Sequence, residues 1–322
     1  MMLTSPAYVL ITPARNEARS IEATVAAPHP DSVRASREEV RTGLLIVNAD
    51  DWGRERGTTT AILNCALLGT VSSVSAMVFM DDSERAAAIA QERGLDPGLH
   101  LNLTTPFSAR NCSARVINCQ QRVAKFLLRG RFAQTVFHPG LIRSFDYIVR
   151  TQLDEFRHLY EREPGRIDGH HHMHLCANVL LGGLLPSGIV VRGNFSFVGG
   201  EKSYANILYR RLVDFLLKQN HRVVDYFYNR PPIEPLARLQ RIFGLAREHV
   251  VELETHPVNP EEYGFLTKGG IGRLSGGFEI APRFLVPRRT QGRALSRDSS
   301  EVTRLQFGPQ SSGAASDFCA TS

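Results

Sequence analysis

The chain predicts an α/β fold in which parallel strands are flanked by helices, arranged either as a barrel or as a doubly wound sheet. Two observations lead there. From Leu44 to about Pro287, short apolar runs alternate with segments of helical periodicity, and repeated β-then-α units require parallel pairing with helices outside the sheet. Polar and ionisable residues also gather where several of the apolar runs end, and in βα architectures the ligand site lies at the carboxyl ends of the strands.

The elements follow in order. "LLIVN" (44–48) predicts a buried strand, and "TTTAILNCALLG" a helix closed by Gly69. "VSAMVF" (74–79) is the second strand. "SERAAAIAQERG" is a helix capped by Ser83 and ended by Gly94, and "GLHLNL" (98–103) is the third strand. Phe145, Ile148, Val149, Leu153, Phe156, Leu159 and Tyr160 share one helical face until Pro164 and Gly165 stop the helix. A short strand "RID" (166–168), a helical "LCANVLLGGLL", a strand "GIVVR" (188–192), a helix over 203–218, and strands "RVVDYF" (222–227) and "HVVELETHP" (249–257) complete the core.

The composition narrows the class. The chain has 322 residues and 43% hydrophobic content, as expected of a globular protein with a core. No window offers the roughly 18 apolar residues of a membrane span, and no secretory leader pattern opens the sequence, so a cytoplasmic protein is expected. The five cysteines are far apart and form no CxxC pair, which argues against a disulfide framework or a cysteine zinc site. The formal net charge is +6, but the basic residues are mostly scattered arginines without interleaved aromatics, and no nucleic-acid partner is expected. Residues 288–322 are polar and aperiodic and predict a disordered tail. Residues 1–43 form an N-terminal extension. Its "YVLITPARNEARSIEATV" resembles the opening of family 2 glycosyltransferases, but no DxD motif follows, so it reads as a remnant without transferase activity.

Four strand ends carry candidate chemistry. The first strand runs into "NADDWG", which places Asn48, Asp50 and Asp51 at its end. Adjacent carboxylates repel, and they commonly bind a cation or share a proton. A helix cap would explain one aspartate but not both. In "GLHLNL", alternation puts His100 and Asn102 on the face opposite the leucines. "RIDGHHHMH" (166–174) holds four histidines and an aspartate. If that segment stays extended, Asp168, His170 and His172 face one way; if it turns helical, His170 and His174 meet. Either way several imidazoles converge, and burying them without a metal or carboxylate partner is costly. In "VELETHPV", alternation sets Glu252, Glu254 and His256 on one face, and His256 suits a general acid. Arg192 ends its strand, where its guanidinium can hold a carboxylate ionised. A ligand set of one aspartate and two histidines with open positions is that of metal-assisted hydrolysis.

Together, "LLIVNADDWG", "GLHLNLT", "RIDGHHHMH", "VVRGN" and "VELETHP" resemble, in this order, the YdjC-like carbohydrate deacetylases, a family that includes chitooligosaccharide deacetylases and a hopanoid-biosynthesis-associated branch. The resemblance covers 44–287. It implies an irregular β/α barrel and hydrolysis of an N-acetyl group from an acetylated amino sugar, oligosaccharide or glycolipid. By matching positions it implies Asp50 as base, Asp51, His100 and His170 as ligands of one divalent metal ion, and His256 as general acid. The family is associated with Mg²⁺, whereas the ligand types suit Zn²⁺. Trp52 replaces the familiar phenylalanine, Arg166 stands where histidine is frequent, and Glu254 stands where an apolar residue is common. A metal-dependent hydrolase of another substrate, such as a phosphoester, and an inactive sugar-binding homologue are the alternatives. A homodimer is left open.

Overall fold

The computed structural model describes residues 43–130, 132–197, 203–229, 236–275 and 279–286. The expected N-terminal extension and C-terminal tail therefore lie outside the described residues, except for Gly43. The described elements are β1 (Leu44–Trp52), α1 (Arg56–Leu67), β2 (Ser73–Ala76), α2 (Ser83–Arg93), β3 (Pro97–Leu101), α3 (Ala114–Leu127), α4 (Ile142–Tyr160), β4 (Arg166–Gly169), α5 (Ala177–Leu181), β5 (Val190–Val191), α6 (Tyr204–Asn220), β6 (Tyr226–Asn229), α7 (Leu236–Leu245), β7 (Val250–Thr255), α8 (Pro260–Thr267) and α9 (Gly270–Ser275).

Seven strands pair in the order β5-β4-β3-β2-β1-β7-β6, all parallel. The sheet curls, and a parallel bridge between Val190 and Arg222 joins the β5 edge to the segment that leads into β6. This is the expected irregular β/α barrel. Its strands are buried on both faces, as a parallel sheet covered by helices requires, but the two faces differ in chemistry. Outward-facing Ala49, Val74, Leu99, Leu101 and Ile167 pack with Phe145, Ile148, Val149 and Phe156 of α4 in the larger core. Leu45, Val47, Val251 and Leu253 pack with Leu239, Ile242 and Phe243 of α7 and Phe265 of α8 in a second. The inner face is mostly polar: Asn48, Asp50, Ser75, His100, Arg166, Asp168, Glu252 and Glu254 are all buried.

Several elements differ from the sequence expectation. β6 occupies 226–229 rather than 222–227, because Asp225 accepts from Val250 N and the pairing with β7 begins only at Tyr226. Ser83 is the first residue of α2 rather than its cap. Its hydroxyl accepts from Met80 N and donates to Met77 O, which ties the helix start to the end of β2. α5 is shorter than its apolar run, ending at Gly182 with Gly183 at φ 60°. α4 ends at Glu161, itself left-handed at φ 53°, before Pro164 is reached. Helices α3, α7, α8 and α9 were not expected from the strand-end pattern at all.

One close approach sets the depth of the inner face. Arg166 crosses the barrel from β4, donating to Asn48 Oδ1 at 2.8 Å and Val74 O at 2.6 Å, and its guanidinium lies over Phe284. A Cβ at Gly98 would sit 2.4 Å from Arg166 Cγ. We expect Gly98→Val to cost about 1–3 kcal/mol by overpacking. Gly57→Ala, in an open position of α1, should be neutral or stabilising by up to about 1 kcal/mol. Urea unfolding of both variants checks this, and an unchanged midpoint for Gly98→Val would contradict the packing described.

Candidate metal and acid-base centre

The aspartate pair is shaped by an irregularity in β1. Between Ala49 and Trp52 the register against β2 slips, with Trp52 pairing to Ala76 where Ala49 paired to Val74. A bulge of this kind adds a residue and re-aims side chains. Asp51 takes the left-handed conformation, φ 70°. In regular alternation neighbouring aspartates would point to opposite faces; here both are buried and both line the same pocket. The N-cap position of α1 is Glu55, so neither aspartate is spent as the cap of that helix.

The histidine run neither continues the strand nor winds into a regular helix. β4 stops at Gly169, and a 3-10 turn over His170–Leu175 follows in which His171 and His172 are both left-handed, at φ 55° and 57°. Two successive non-glycine residues in that region store backbone strain, which proteins tolerate mainly at functional sites. The turn divides the imidazoles. His170 reaches to 3.0 Å from Asp51 Oδ1. His171 Nδ1 meets Thr104 Oγ1 at 3.0 Å. His172 packs edge-on against Phe195. His174 folds back under the turn, where Nε2 meets Arg192 O at 2.9 Å; burial holds it neutral, down to about 4. A Cβ at Gly169 would lie 2.8 Å from His174 Nδ1, so the fold-back needs glycine there.

Asp51, His100 and His170 bring one ligand atom each to within 4.8 Å of one another. His100 Nδ1 is engaged by Asp168 Oδ1 at 2.7 Å, its partner across the β3–β4 register. That leaves Nε2 facing Asp51 Oδ1 at 3.4 Å, the carboxylate-histidine support that orients metal-ligating imidazoles. His170 approaches Asp51 Oδ1 through Nδ1 and His100 through Nε2, and Asp51 Oδ1 is buried without a hydrogen-bond partner among the described residues. Lone pairs that converge without satisfying one another fit a divalent cation, and one aspartate with two histidines fits its ligand chemistry. Burial opposes the charge on Asp51, yet His100 and His170 hold its carboxyl below the ordinary range.

Beside this triad lies a buried network around Arg192. Its guanidinium donates to both oxygens of Asp50, at 2.7 and 2.9 Å, and through Nε to Glu252 Oε1 at 2.8 Å. Asp168 Oδ2 is 3.2 Å away. Burial works against the charge on Asp50, but Arg192 and His100 hold its carboxyl well below the usual range. Burial and the charge on Asp50 push Glu254 well above it. His256, from the end of β7, is the most exposed member; its backbone N–H donates to Glu262 Oε2 at 2.7 Å, and its Nε2 lies 3.9 Å from Glu254 Oε1. Arg54, Phe195, Asn229, Val258 and Glu262 complete the lining and were not anticipated from sequence, since none sits in a periodic or clustered pattern. Asn102, expected beside His100, instead closes a loop through Thr105 O at 2.8 Å. Arg166 lies deeper in the barrel than the pocket.

Burial pushes the Glu252 carboxyl from its ordinary 4.5 up to about 7 despite the adjacent Arg192, and Oε2 is unpartnered among the described residues. A native carboxyl with a raised pKa keeps its proton while the unfolded chain releases it. Its stabilising contribution is therefore full below about pH 4.5 and declines as pH rises to about 7. Glu252→Gln should remove that decline, gaining on the wild type by an order of a few kcal/mol between pH 5 and 8. Urea unfolding at the two pH values measures it; a pH-independent difference between the two proteins would overturn it.

A family model described as YdjC-like protein matches residues 44–267. The chain is 35% identical over 135 residues to a chitooligosaccharide deacetylase of Enterobacter sp., covering 41% of this chain and 50% of that protein. It is 34% identical over 139 residues to the chitooligosaccharide deacetylase of Serratia marcescens, covering 41% and 51%. A carbohydrate deacetylase of Clostridium beijerinckii is 27% identical over 216 residues, covering 66% of this chain and 80% of that protein. The chain thus spans about half the length of the first two relatives. The family match begins at the first residue of β1 and ends at the last residue of α8, taking in every strand that lends a side chain to the pocket, and on that extent this chain belongs to the YdjC-like protein family.

Proposed function

We propose that the protein is a metal-dependent, cytoplasmic carbohydrate deacetylase that removes an N-acetyl group from an acetylated amino sugar, free, oligomeric or lipid-linked. The observation that carries the reading is the placement of Asp50 and His256 in one pocket with the Asp51, His100 and His170 triad. The deacetylase names of its relatives support the substrate class.

Held by that triad, a divalent ion would polarise the amide carbonyl and make water more acidic. The protein's own groups divide the proton work. Asp50, kept ionised by the bidentate Arg192 contact, is the base that takes the proton from the attacking water. Arg192 is a positioning residue: it is buried beneath Asp50 and fixes both the charge and the orientation of that carboxylate. Asp168 performs the same service for His100, holding the tautomer that presents Nε2 to the pocket. His256, at the more open side of the pocket, gives a proton to the departing amine. Hydrolysis balances with water adding hydroxyl to the acetyl carbon as the C–N bond breaks, and acetate and a free amine leave.

Metal content distinguishes ligands from the rest. Purified protein should hold about one divalent ion, and elemental analysis decides between Mg²⁺ and Zn²⁺. His170→Ala and Asp51→Asn should each lose it; stoichiometric metal in both would remove the triad from the reading.

Rates distinguish the base. Asp50→Asn should retain metal while acetate release from N-acetylglucosamine oligomers falls about 10²–10⁴-fold, because an amide cannot accept the proton. His256→Ala should also retain metal, with a smaller loss on substrates whose amine leaves more readily. Near-normal turnover by Asp50→Asn would transfer the base role elsewhere. Phosphate release in place of acetate would favour a phosphoester hydrolase.

A further inference from the structure

Among the described residues, one flank of the outer helix layer shows a wide apolar face to solvent. Only Val213 and Leu217 of α6 are buried. Opposite them, Tyr204, Leu208, Leu212 and Phe215 recur at spacings of four, four and three and form one stripe. Their exposures are 81%, 59%, 56% and 60%. Large exposed apolar stripes of this kind mark interaction surfaces.

Charge identifies the kind of partner. Residues 198–220 contain Glu201 and Asp214 against Lys202, Arg210, Arg211 and Lys218. Asp214 is engaged, accepting from Asn194 N at 3.0 Å and Asn194 Nδ2 at 2.9 Å. Arg211 and Lys218 are exposed. On the helical wheel, Arg211 and Lys218 border the Tyr204–Phe215 stripe along one side. An apolar stripe with tyrosine and phenylalanine, edged by Arg211 and Lys218 on a helix whose single carboxylate is already engaged, is the composition of a helix lying in the interface of an anionic bilayer. A symmetric contact between two copies would set this patch against itself, bringing Arg211 and Lys218 together with no carboxylate on α6 except the engaged Asp214. Among the described residues no helix is long and apolar enough to cross a membrane, so such a contact is peripheral.

We propose that the exposed Tyr204–Phe215 face of α6 docks the protein on anionic lipid bilayers. The inference stands apart from the reading of the pocket. The test is co-sedimentation of the full chain with vesicles of phosphatidylcholine alone or mixed with phosphatidylglycerol, at low and high salt. Wild type should bind the mixed vesicles, bind neutral ones weakly, and release as salt rises. Leu208→Glu with Phe215→Glu, and separately Arg211→Glu with Lys218→Glu, should each reduce binding by about tenfold or more. Circular dichroism and the unfolding midpoint establish that both variants are folded; should the apolar pair fail to fold, the charge pair alone decides. Absence of wild-type binding, or equal binding by folded variants, would overturn the proposal. So would a wild-type dimer that becomes a monomer in Leu208→Glu with Phe215→Glu while neither binds vesicles, which would make the face a contact between copies.

Discussion

The buried guanidinium of Arg192 is the interaction around which the inside of the barrel is organised. It stands among Asp50, Asp168, Glu252 and Glu254, with 2.7 Å contacts to Asp50 and Glu252. One cation cannot neutralise four carboxylates, and the site divides them by environment. Asp50 and Asp168 keep their charge, with His100 helping, while burial pushes Glu252 and Glu254 upward. Groups whose environments separate their proton affinities in this way are what acid-base chemistry requires. Removing the guanidinium would leave buried charges without compensation, which is far more costly than the pair is stabilising.

Two backbone irregularities turn this network into a pocket. The bulge in β1 sends two successive aspartates into the same space, so that one can face the histidines and the other the arginine. The left-handed pair His171 and His172 ends β4 abruptly and splays four imidazoles in different directions. Regular continuation of either strand would send alternate side chains into the helix layer, where His171 or Asp51 would meet Leu and Phe side chains. The strain is carried by a rigid frame: apolar strand faces packed on α4 and α7 hold the strand ends while the inner face remains polar.

The outside of the barrel follows a different rule. Most helices bury a broad stripe, as α4 does with Phe145, Ile148, Val149, Leu153 and Phe156. α6 buries two residues and shows its larger side chains to solvent. Its position explains how this is possible. α6 connects the two edge strands, β5 and β6, which among the described residues are joined by the Val190–Arg222 bridge rather than by a paired ladder, so there is less sheet for it to cover.

Much of this was legible in the linear order of residues. The βα alternation, the positions of β1, β3, β4 and β7, and the gathering of Asp50, Asp51, His100, His170, Arg192 and His256 at strand ends all follow from periodicity, because side-chain direction in a strand is set locally by its period of two. Local rules stop where the period breaks. Nothing in "NADDWG" or "GHHHMH" specifies a bulge or a left-handed turn, since those conformations are held by the neighbouring strands and by contacts such as His174 with Arg192 O. Partner choice is equally non-local: Asp168 supports His100 and Arg192 supports Asp50 only because parallel registers between distant segments align them. Sequence therefore determined which residues could do chemistry and on which strand ends they stand. Tertiary structure alone decided which imidazoles share a space with Asp51, which carboxylate keeps its proton, and which helix face is left uncovered, because distance, burial and charge compensation arise only when separate strands are brought together.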